Sequence, residues 1–370
     1  MTATIATIVA IMIVYTWLLM LLPKMAKPTV PFGVRVPENR TDDPVVQQAS
    51  RQYYVGVVLA MAVVTTALIA LTLLVPQTAV ILAASIVPLV VWFVPYLSAR
   101  RLVLAAKRDG GWFDNVQQTV VTDTTWRTSP PPYPWAWAVP AVVIAIATLV
   151  IGILRYPSLP DRIAVHIGTD GPDRFADTTV WSAFALVGIQ SLLTALLVGV
   201  AFLALRTRSE VRAAAPRESA EQYRHYAVTM AKLVLALAAG MNLTFLITAL
   251  MMWDVVPANL GWAIASIVPT LTAAAVLMVV AVRAGQSGHR MRTGTPAEPG
   301  TPSTTDRDDD AYWIGGLIYL NHDDAALWVP KRYGGIGWTI NFARPMAWVL
   351  TVGFLALIIG VITWAFLAAS

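Results

Sequence analysis

Eight apolar runs of roughly 20 residues constrain this chain more than any other feature. About 20 mostly apolar residues are needed to cross the ~30 Å hydrocarbon core of a bilayer as an α-helix. Only 13% of the 370 residues are charged, against about a quarter in a typical soluble domain. The sequence therefore predicts an all-α polytopic membrane protein. The predicted spans are Ile5–Leu22, Tyr54–Val75, Ala79–Leu97, Trp135–Leu154, Val180–Leu205, Met230–Met252, Leu260–Val282 and Met346–Ala368.

The basic residues predict an orientation for these spans. They concentrate in the connections after the first, third, fifth and seventh spans, whereas the even-numbered connections carry few or none. By the positive-inside rule, the basic connections are cytoplasmic and both termini are extracellular. This distribution accounts for the net charge of +5, so no direct binding of nucleic acid is expected. Arginine far outnumbers lysine, which favours a GC-rich bacterial source and hence a bacterial cytoplasmic membrane.

The runs divide the chain into six predicted segments. They are a membrane domain over 1–154, an extracellular loop over 155–179, a second membrane domain over 180–283, a disordered cytoplasmic linker over 284–310, a cytoplasmic module over 311–345 and a last span over 346–370. Proline, glycine, serine, threonine and charge dominate the linker, whose acidic run over 306–310 is interpreted as solvated. The module regains aromatic and β-branched residues, which predicts a small β-containing element. Its basic pair Lys331 and Arg332 is predicted to contact anionic lipid.

Only the 155–179 loop, among the connections predicted to lie outside, is long enough to fold or bind a ligand. Ile163, Val165 and Ile167 alternate with polar or small residues, which predicts a short strand with one apolar face. Asp170 and Gly171 form an Asp-Gly turn signal. We expect the apolar face to pack on the outer ends of the spans.

His166 has the most versatile chemistry in this loop. With Asp170 and Asp173 it provides one imidazole and two carboxylates, an incomplete set for zinc, which takes three or four well-placed ligands. The alternative is that these side chains hydrogen-bond the backbone of the loop and cap its turn. We predict no metal, no cofactor and no catalytic residue. The candidate ligand-binding residues are His166, Asp170, Asp173 and Arg162.

Ionisable groups are nearly absent from the interior of the predicted spans. Gln190 and Asn242 are the most central polar side chains and are predicted to hydrogen-bond between helices. Coupled transporters usually place an ionisable residue near mid-membrane, so ion-driven transport is disfavoured. Five tryptophans near span ends predict an interfacial belt: Trp92, Trp135, Trp181, Trp253 and Trp348.

The stretch LPDRIAVHIGTDGPDRF resembles the LPxxIxxHxxxxGxxD signature of a bacterial membrane family that includes the SdpI-type immunity proteins. The matching residues are Leu159, Pro160, Ile163, His166, Gly171 and Asp173, of which Leu159, Pro160, Ile163 and Gly171 are interpreted as structural. Ile167 follows the histidine where the family often has an aromatic residue. PFGVRVP, Pro31–Pro37, resembles a motif after the first span of related proteins, and Tyr312–Pro345 resembles an uncharacterised cytoplasmic module attached to them.

This resemblance implies protection of a producing cell against a membrane-active peptide toxin, coupled to a transcriptional regulator held at the membrane. The 155–179 loop would then bind an antimicrobial or signalling peptide, the cytoplasmic face would bind the regulator, and the lipid bilayer is the remaining partner. Two other classes stay open. One is a transporter or a membrane subunit of a transporter, and the other is an outer-surface membrane enzyme that uses His166.

Overall fold

The computed structural model describes residues 2–114, 117–118, 129–168, 171–206, 215–293, 305–306, 308–333 and 337–368. Asp170, one of the candidate ligand-binding residues, lies outside this part of the chain. The helices are α1 (Thr2–Met25), α2 (Pro44–Leu71), α3 (Gln77–Val91), α4 (Phe93–Asp109), α5 (Trp135–Arg155), α6 (Val180–Ala204), α7 (Pro216–Met252), α8 (Leu260–Ala284) and α9 (Pro345–Ala368). The strands are β1 (Gln117–Gln118), β2 (Arg162–Gly168), β3 (Gly171–Asp177), β4 (Thr305–Asp306), β5 (Trp313–Ile314), β6 (Ile318–Tyr319), β7 (Trp328–Pro330) and β8 (Trp338–Ile340).

The helices confirm the predicted class of all-α multi-pass membrane protein. Seven apolar stretches of the described chain are long enough to cross a membrane, with α3 and α4 joined in a single stretch over Ala79–Asp109. The eighth predicted span lies within α9, a helix of 24 residues. The strands form only two-stranded sheets in the described residues.

Two helices begin well before their predicted apolar runs, and in one of them a local cap sets the first residue. Helix α2 begins at Pro44, and the Asp43 side chain accepts a hydrogen bond from the Val45 amide. Proline suits this first position, where no backbone N–H is needed, and an aspartate cap satisfies one of the free amides of the first turn. Helix α7 begins at Pro216, also a proline, 14 positions ahead of the predicted Met230.

One compact unit comprises Met1–Asp123, Ser209–Tyr223 and Val282–Ala343. Its core is aromatic. The Tyr53 hydroxyl donates to the Leu19 carbonyl (2.8 Å) and accepts from the Trp92 indole (2.8 Å), and Tyr96 stacks on Trp92. The strand pairs β5–β6 and β7–β8 are antiparallel and belong to this unit.

The other compact unit comprises Thr124–Arg208, Arg224–Ala281 and Arg344–Ser370. Gln190, fully buried on α6, donates to the Thr148 hydroxyl of α5 (3.1 Å). Asn242 of α7 donates to the Ala141 carbonyl of α5 (2.7 Å). These bonds confirm the predicted interhelical role of Gln190 and Asn242, which follows from the cost of leaving a polar group unpaired in hydrocarbon.

The predicted tryptophan belt is wrong for two of its five members. Trp92 and Trp253 are 9% and 1% exposed, respectively. The Trp253 indole packs against Gly152, where an added Cβ would lie 2.7 Å from the ring, and donates to the Ala183 carbonyl (3.1 Å). A position near a span end therefore does not distinguish a lipid-facing ring from one that fills a core. The others are exposed: Trp135, Trp181 and Trp348.

Candidate functional site

The 155–179 loop folds into an antiparallel hairpin of β2 and β3. Arg162 pairs with Asp177 at its base and Gly168 with Gly171 at its tip, and the register is irregular on both sides of His166. An irregularity of this kind changes the direction in which neighbouring side chains point. Ile163 is buried and Ile167 is half-buried, whereas Val165 is 37% exposed. The predicted packing of the apolar face is therefore wrong at Val165.

The base of the hairpin is fixed by side chains and by backbone bonds. Ile163 is 1% exposed, and Leu159 packs with a buried cluster that includes Val187 and Trp253. The Thr178 amide donates to the Asp161 carbonyl (2.8 Å). Burial of two aliphatic side chains stabilises the loop by about 1.5–3 kcal/mol each if burial is complete. Leu159 and Ile163 therefore anchor the base of the hairpin.

The chain leaves the hairpin through two further polar contacts. The Thr178 hydroxyl donates to the Pro160 carbonyl (2.5 Å), which ties the two sides of the base together. Thr179 and Ser182 then form a capping box at the first turn of α6, an arrangement that satisfies two backbone amides reciprocally. The hairpin is consequently joined to α6 without a flexible spacer.

The tip of the hairpin requires glycine at one position. Gly171 has φ +117°, in the region that residues with a Cβ rarely adopt. A Cβ at this position would lie 3.7 Å from the Ala258 carbonyl oxygen, so the tip approaches the connection between α7 and α8. Gly171 is thus a backbone requirement of the turn.

His166 and Asp173 form a side-chain pair across the two strands. The distance from His166 Nδ1 to Asp173 Oδ1 is 2.5 Å, and the side chains are 48% and 54% exposed. The hydrogen bond from His166 holds the pKa of Asp173 below its ordinary value, because a bond to the charged form of a carboxyl favours that form. An imidazole held through Nδ1 keeps Nε2 for a ligand, as donor or acceptor according to its protonation.

Arg162 lies at the opposite end of the hairpin from this pair. Its Nε is 3.5 Å from Asp177 Oδ1, and its Nη2 donates to the Phe175 carbonyl (3.3 Å). His166 lies four positions after Arg162 along the strand, about 13 Å at 3.3 Å per residue. The structure therefore brings His166 and Asp173 together and leaves Arg162 apart. No group of three or more His, Cys, Asp or Glu side chains able to hold a metal ion occurs in the described part of the chain.

Two exposed apolar residues of the hairpin are absent from the set predicted from sequence. Val165 is 37% exposed and Phe175 is 48% exposed. Phe175 ends the signature-like stretch and Val165 belongs to the predicted apolar face. The sequence therefore identifies both residues as apolar but does not predict that they are exposed. The hairpin surface thus combines an imidazole, carboxylates and apolar side chains.

A second cluster of functional groups lies in the other compact unit, and sequence reasoning missed it. We call it the charge cluster; it consists of Arg35, Lys107, Arg332, Asp308, Asp309 and Asp310. Lys107 Nζ lies 2.7 Å from Asp308 Oδ1 and 2.6 Å from Asp310 Oδ2. Arg332 pairs with Asp309 (2.9 Å) and with Asp310.

The charge cluster corrects two interpretations of the linker and the module. Asp309 and Arg332 are 8% and 4% exposed, respectively, so the end of the acidic run is paired and not solvated. Arg332 is occupied by aspartates instead of anionic lipid, and burial lowers the pKa of Lys331. Single-sequence reasoning finds an acidic run and a basic pair but contains no signal for partners that are far apart along the chain.

Hydrogen bonds that involve backbone groups link the PFGVRVP stretch, α4 and the carboxy-proximal module. Arg100 Nη1 donates to the Phe32 and Gly33 carbonyls (3.2 and 2.7 Å), and the Tyr96 hydroxyl donates to the Gly315 carbonyl (2.8 Å). The Arg35 amide donates to Asp310 (2.9 Å). Pro31–Pro37 therefore connects α4 with the carboxy-proximal module, which gives this stretch a structural role.

Two segments match models of protein families. Residues 143–190, which contain the hairpin, match a domain of unknown function (DUF1648), and residues 322–348 match a family of unknown function (DUF5808). Comparison with curated proteins gives no match, and comparison with solved structures gives none. The two matched segments are consistent with a multi-pass membrane protein and assign no activity.

Proposed function

We propose that this protein is a membrane receptor of the immunity or sensor type, which binds a peptide at the β2–β3 hairpin. The observation that carries the proposal is the exposed His166–Asp173 pair on a hairpin with an anchored base. A ligand site needs accessible polar groups held by a rigid support. The hairpin provides both, since Ile163 and Leu159 fix its base while the pair remains about half exposed.

The form of the hairpin favours a peptide as the ligand. Strands β2 and β3 make a two-stranded sheet in the described residues, so each has an outer edge without a strand beside it. An extended peptide can add to such an edge through main-chain hydrogen bonds, with side chains giving specificity. Val165 and Phe175 are exposed apolar residues of the same two strands and offer apolar contacts. An amphipathic, membrane-active peptide has both kinds of group.

The orientation is part of this proposal. On the positive-inside rule the hairpin faces the outside of a bacterial cytoplasmic membrane, where a peptide toxin or signal arrives. The charge cluster and the carboxy-proximal module face the cytoplasm, where a transcriptional regulator would bind. The resemblance to SdpI-type immunity proteins supports this arrangement.

The test is survival of a sensitive bacterium that expresses the protein during challenge with membrane-active peptides from related strains. We expect the wild type to protect and His166→Ala and Asp173→Ala to lose protection at equal membrane abundance. Asp161→Ala is the matched control, because Asp161 is an exposed carboxylate of the same loop that lies outside the two strands. Protection that persists in both pair variants would assign His166 and Asp173 to structure, and absence of protection against every peptide would refute the immunity function.

The two other classes give different results with the same variants. A transporter predicts substrate-dependent flux in vesicles that is independent of the hairpin pair. An enzyme predicts chemical conversion of the ligand by the wild type and none by His166→Ala. Binding without conversion or flux supports the receptor.

A further inference from the structure

The β5–β6 hairpin has apolar side chains on both of its faces. Trp313 pairs with Tyr319, and Ile314 pairs with Ile318. Side chains of directly paired residues lie on the same face, and successive residues alternate between faces. Trp313 and Tyr319 are buried in a small core, whereas Ile314, Ile318 and Leu320 occupy the other face at 57%, 45% and 36% exposure, respectively. We call this second set the aliphatic face.

A sheet with one face in water normally alternates apolar and polar residues. The stretch from Tyr312 to Leu320, YWIGGLIYL, contains no charged side chain, and its only polar side-chain groups are the two tyrosine hydroxyls and the Trp313 indole N–H. Exposure of the aliphatic face to water is therefore unfavourable. The pattern is typical of a hairpin that has an apolar environment on both faces.

The turn of this hairpin is fixed against α4. The Gly315 carbonyl accepts the hydrogen bond from the Tyr96 hydroxyl (2.8 Å). A Cβ on Gly316 would lie 2.9 Å from that hydroxyl and 2.5 Å from Arg100 Nη1. Gly315 and Gly316 have φ values of +60° and +74°, respectively, so glycine is required for the turn as well as for the close approach.

The depth of the turn follows from the sequence of the span that holds it. Tyr96 belongs to the apolar stretch Ala79–Asp109, in which Arg100 and Arg101 are the first charged residues. At 1.5 Å per residue, Tyr96 lies about 6 Å before Arg100. The headgroup layer on each side of a bilayer is also about 5–7 Å thick. Tyr96 therefore lies about one headgroup-layer thickness inside the first charged residue of the span, the distance that separates the outer headgroup surface from the boundary with hydrocarbon. The turn that Tyr96 holds has Ile314 and Ile318 on either side of it.

We propose that the aliphatic face inserts into this boundary layer and that the carboxy-proximal module is a lipid-contacting element. Apolar side chains of surface-bound elements enter the headgroup and acyl boundary by about 5–10 Å. The proposal does not rest on the peptide-receptor function. It moves the lipid contact of the module from Lys331 and Arg332 to three aliphatic residues.

The test uses the absence of cysteine from the sequence. In three variants of the full chain, a single cysteine replaces Ile314, Ile318 or Leu320. Each cysteine is labelled with a nitroxide, and the protein is reconstituted in vesicles of phosphatidylethanolamine and phosphatidylglycerol. Paramagnetic resonance then compares collisions with oxygen, which concentrates in lipid, and with a water-soluble nickel chelate. Asp323→Cys is the control, since Asp323 is an exposed residue of the same module.

We expect the ratio of oxygen to nickel collisions to be severalfold higher at the three aliphatic positions than at position 323. An environment-sensitive dye on the same cysteines provides the second measurement and should emit further to the blue in vesicles at those positions. Equal nickel access at all four positions would overturn the proposal, because the face would then lie in water. Exclusion of both reagents would also overturn it, because a protein surface would then cover the face.

Discussion

Replacement of Lys107 by methionine tests whether the charge cluster stabilises the unit that contains α1 to α4 and the module. Lys107 is 8% exposed, and its Nζ lies within 2.7 Å of two aspartates. Loss of one partner from a buried ion pair costs about 3–5 kcal/mol. Asp310 keeps its bonds from Arg35 and Arg332, and the Asp308 side chain is 27% exposed. These remaining contacts place the expected loss near the lower limit, about 3 kcal/mol.

This loss should be visible in thermal unfolding of the purified protein in detergent. At about 2–4 °C per kcal/mol for a unit of this size, Lys107→Met should lower the midpoint by about 6–12 °C. Arg40→Met is the matched control, because Arg40 pairs with Asp43 at 3.4 Å but its side chain is 49% exposed. Exposed pairs contribute only about 0.2–1 kcal/mol.

A double-mutant cycle with Asp310→Asn separates the pair from other effects of the lysine. Residues in one ion-pair network show coupling energies of about 0.5–3 kcal/mol, whereas independent sites add. Equal midpoints for Lys107→Met and Arg40→Met, or strict additivity with Asp310→Asn, would refute the stabilising role of the cluster. Lys107 Nζ also lies 4.5 Å from the centre of the Phe113 ring. Any destabilisation by Lys107→Met that does not depend on Asp310 is therefore assigned in part to loss of this ring contact.

The hairpin and the helix core provide the other predictions. Because the pKa of Asp173 is lowered in the folded protein, its charged form stabilises the fold. This stabilisation is complete above about pH 4, the ordinary pKa of Asp. It is lost as the pH falls through the lowered pKa. Carbon-13 titration of the Asp173 carboxyl should give a higher midpoint in His166→Gln than in the wild type, and equal midpoints would exclude the hydrogen bond as the cause. Gly152→Ala should lower the free energy of unfolding by about 1–3 kcal/mol, since the added Cβ would lie 2.7 Å from the Trp253 ring. Gly188→Ala should leave the free energy of unfolding unchanged or raise it by up to about 1 kcal/mol, because no atom outside its own stretch of helix lies within 4 Å of the added Cβ. Equal unfolding midpoints for the two variants would contradict the close packing of Gly152 against Trp253.

The helices were predictable because a membrane span depends on local composition alone. Twenty apolar residues cross hydrocarbon as a helix whatever their neighbours, so α5 and α8 agree with their runs within about two residues, the ordinary uncertainty of a helix end. Helix α2 shows the limit of this reasoning. Its first residues are polar, and the Asp43 cap and Pro44 decide where it begins.

The hairpin was predictable in part, for a related reason. The alternation over Ile163, Val165 and Ile167 and the Asp-Gly signal are local, and strand β2 lies where they place it. The irregular register at His166 depends on pairing with β3, which alternation along one strand does not contain. The pairing of His166 with Asp173 is likewise a cross-strand property.

The charge cluster was not predictable, since Lys107 and Asp310 are 203 positions apart. Membrane topology explains how such distant residues meet at acceptable cost. The module lies between α8, which ends at Ala284, and α9, which begins at Pro345. Both helices are apolar. For two helices held in a bilayer, docking of the module closes a loop of about 60 residues, at an entropic cost of about 4 kcal/mol.

Removal of Lys107 costs about 3 kcal/mol, but part of that cost is the penalty of leaving buried aspartates unpaired, so the intact pair contributes less than loop closure costs. The Tyr96 bond to the Gly315 carbonyl adds about 0.5–1.5 kcal/mol. Tyr333, 2% exposed in the aromatic core with Phe32 and Tyr96, then tips the balance toward the docked module. On this account the ion pairs select where the module docks, and the aromatic core supplies the surplus that keeps it there.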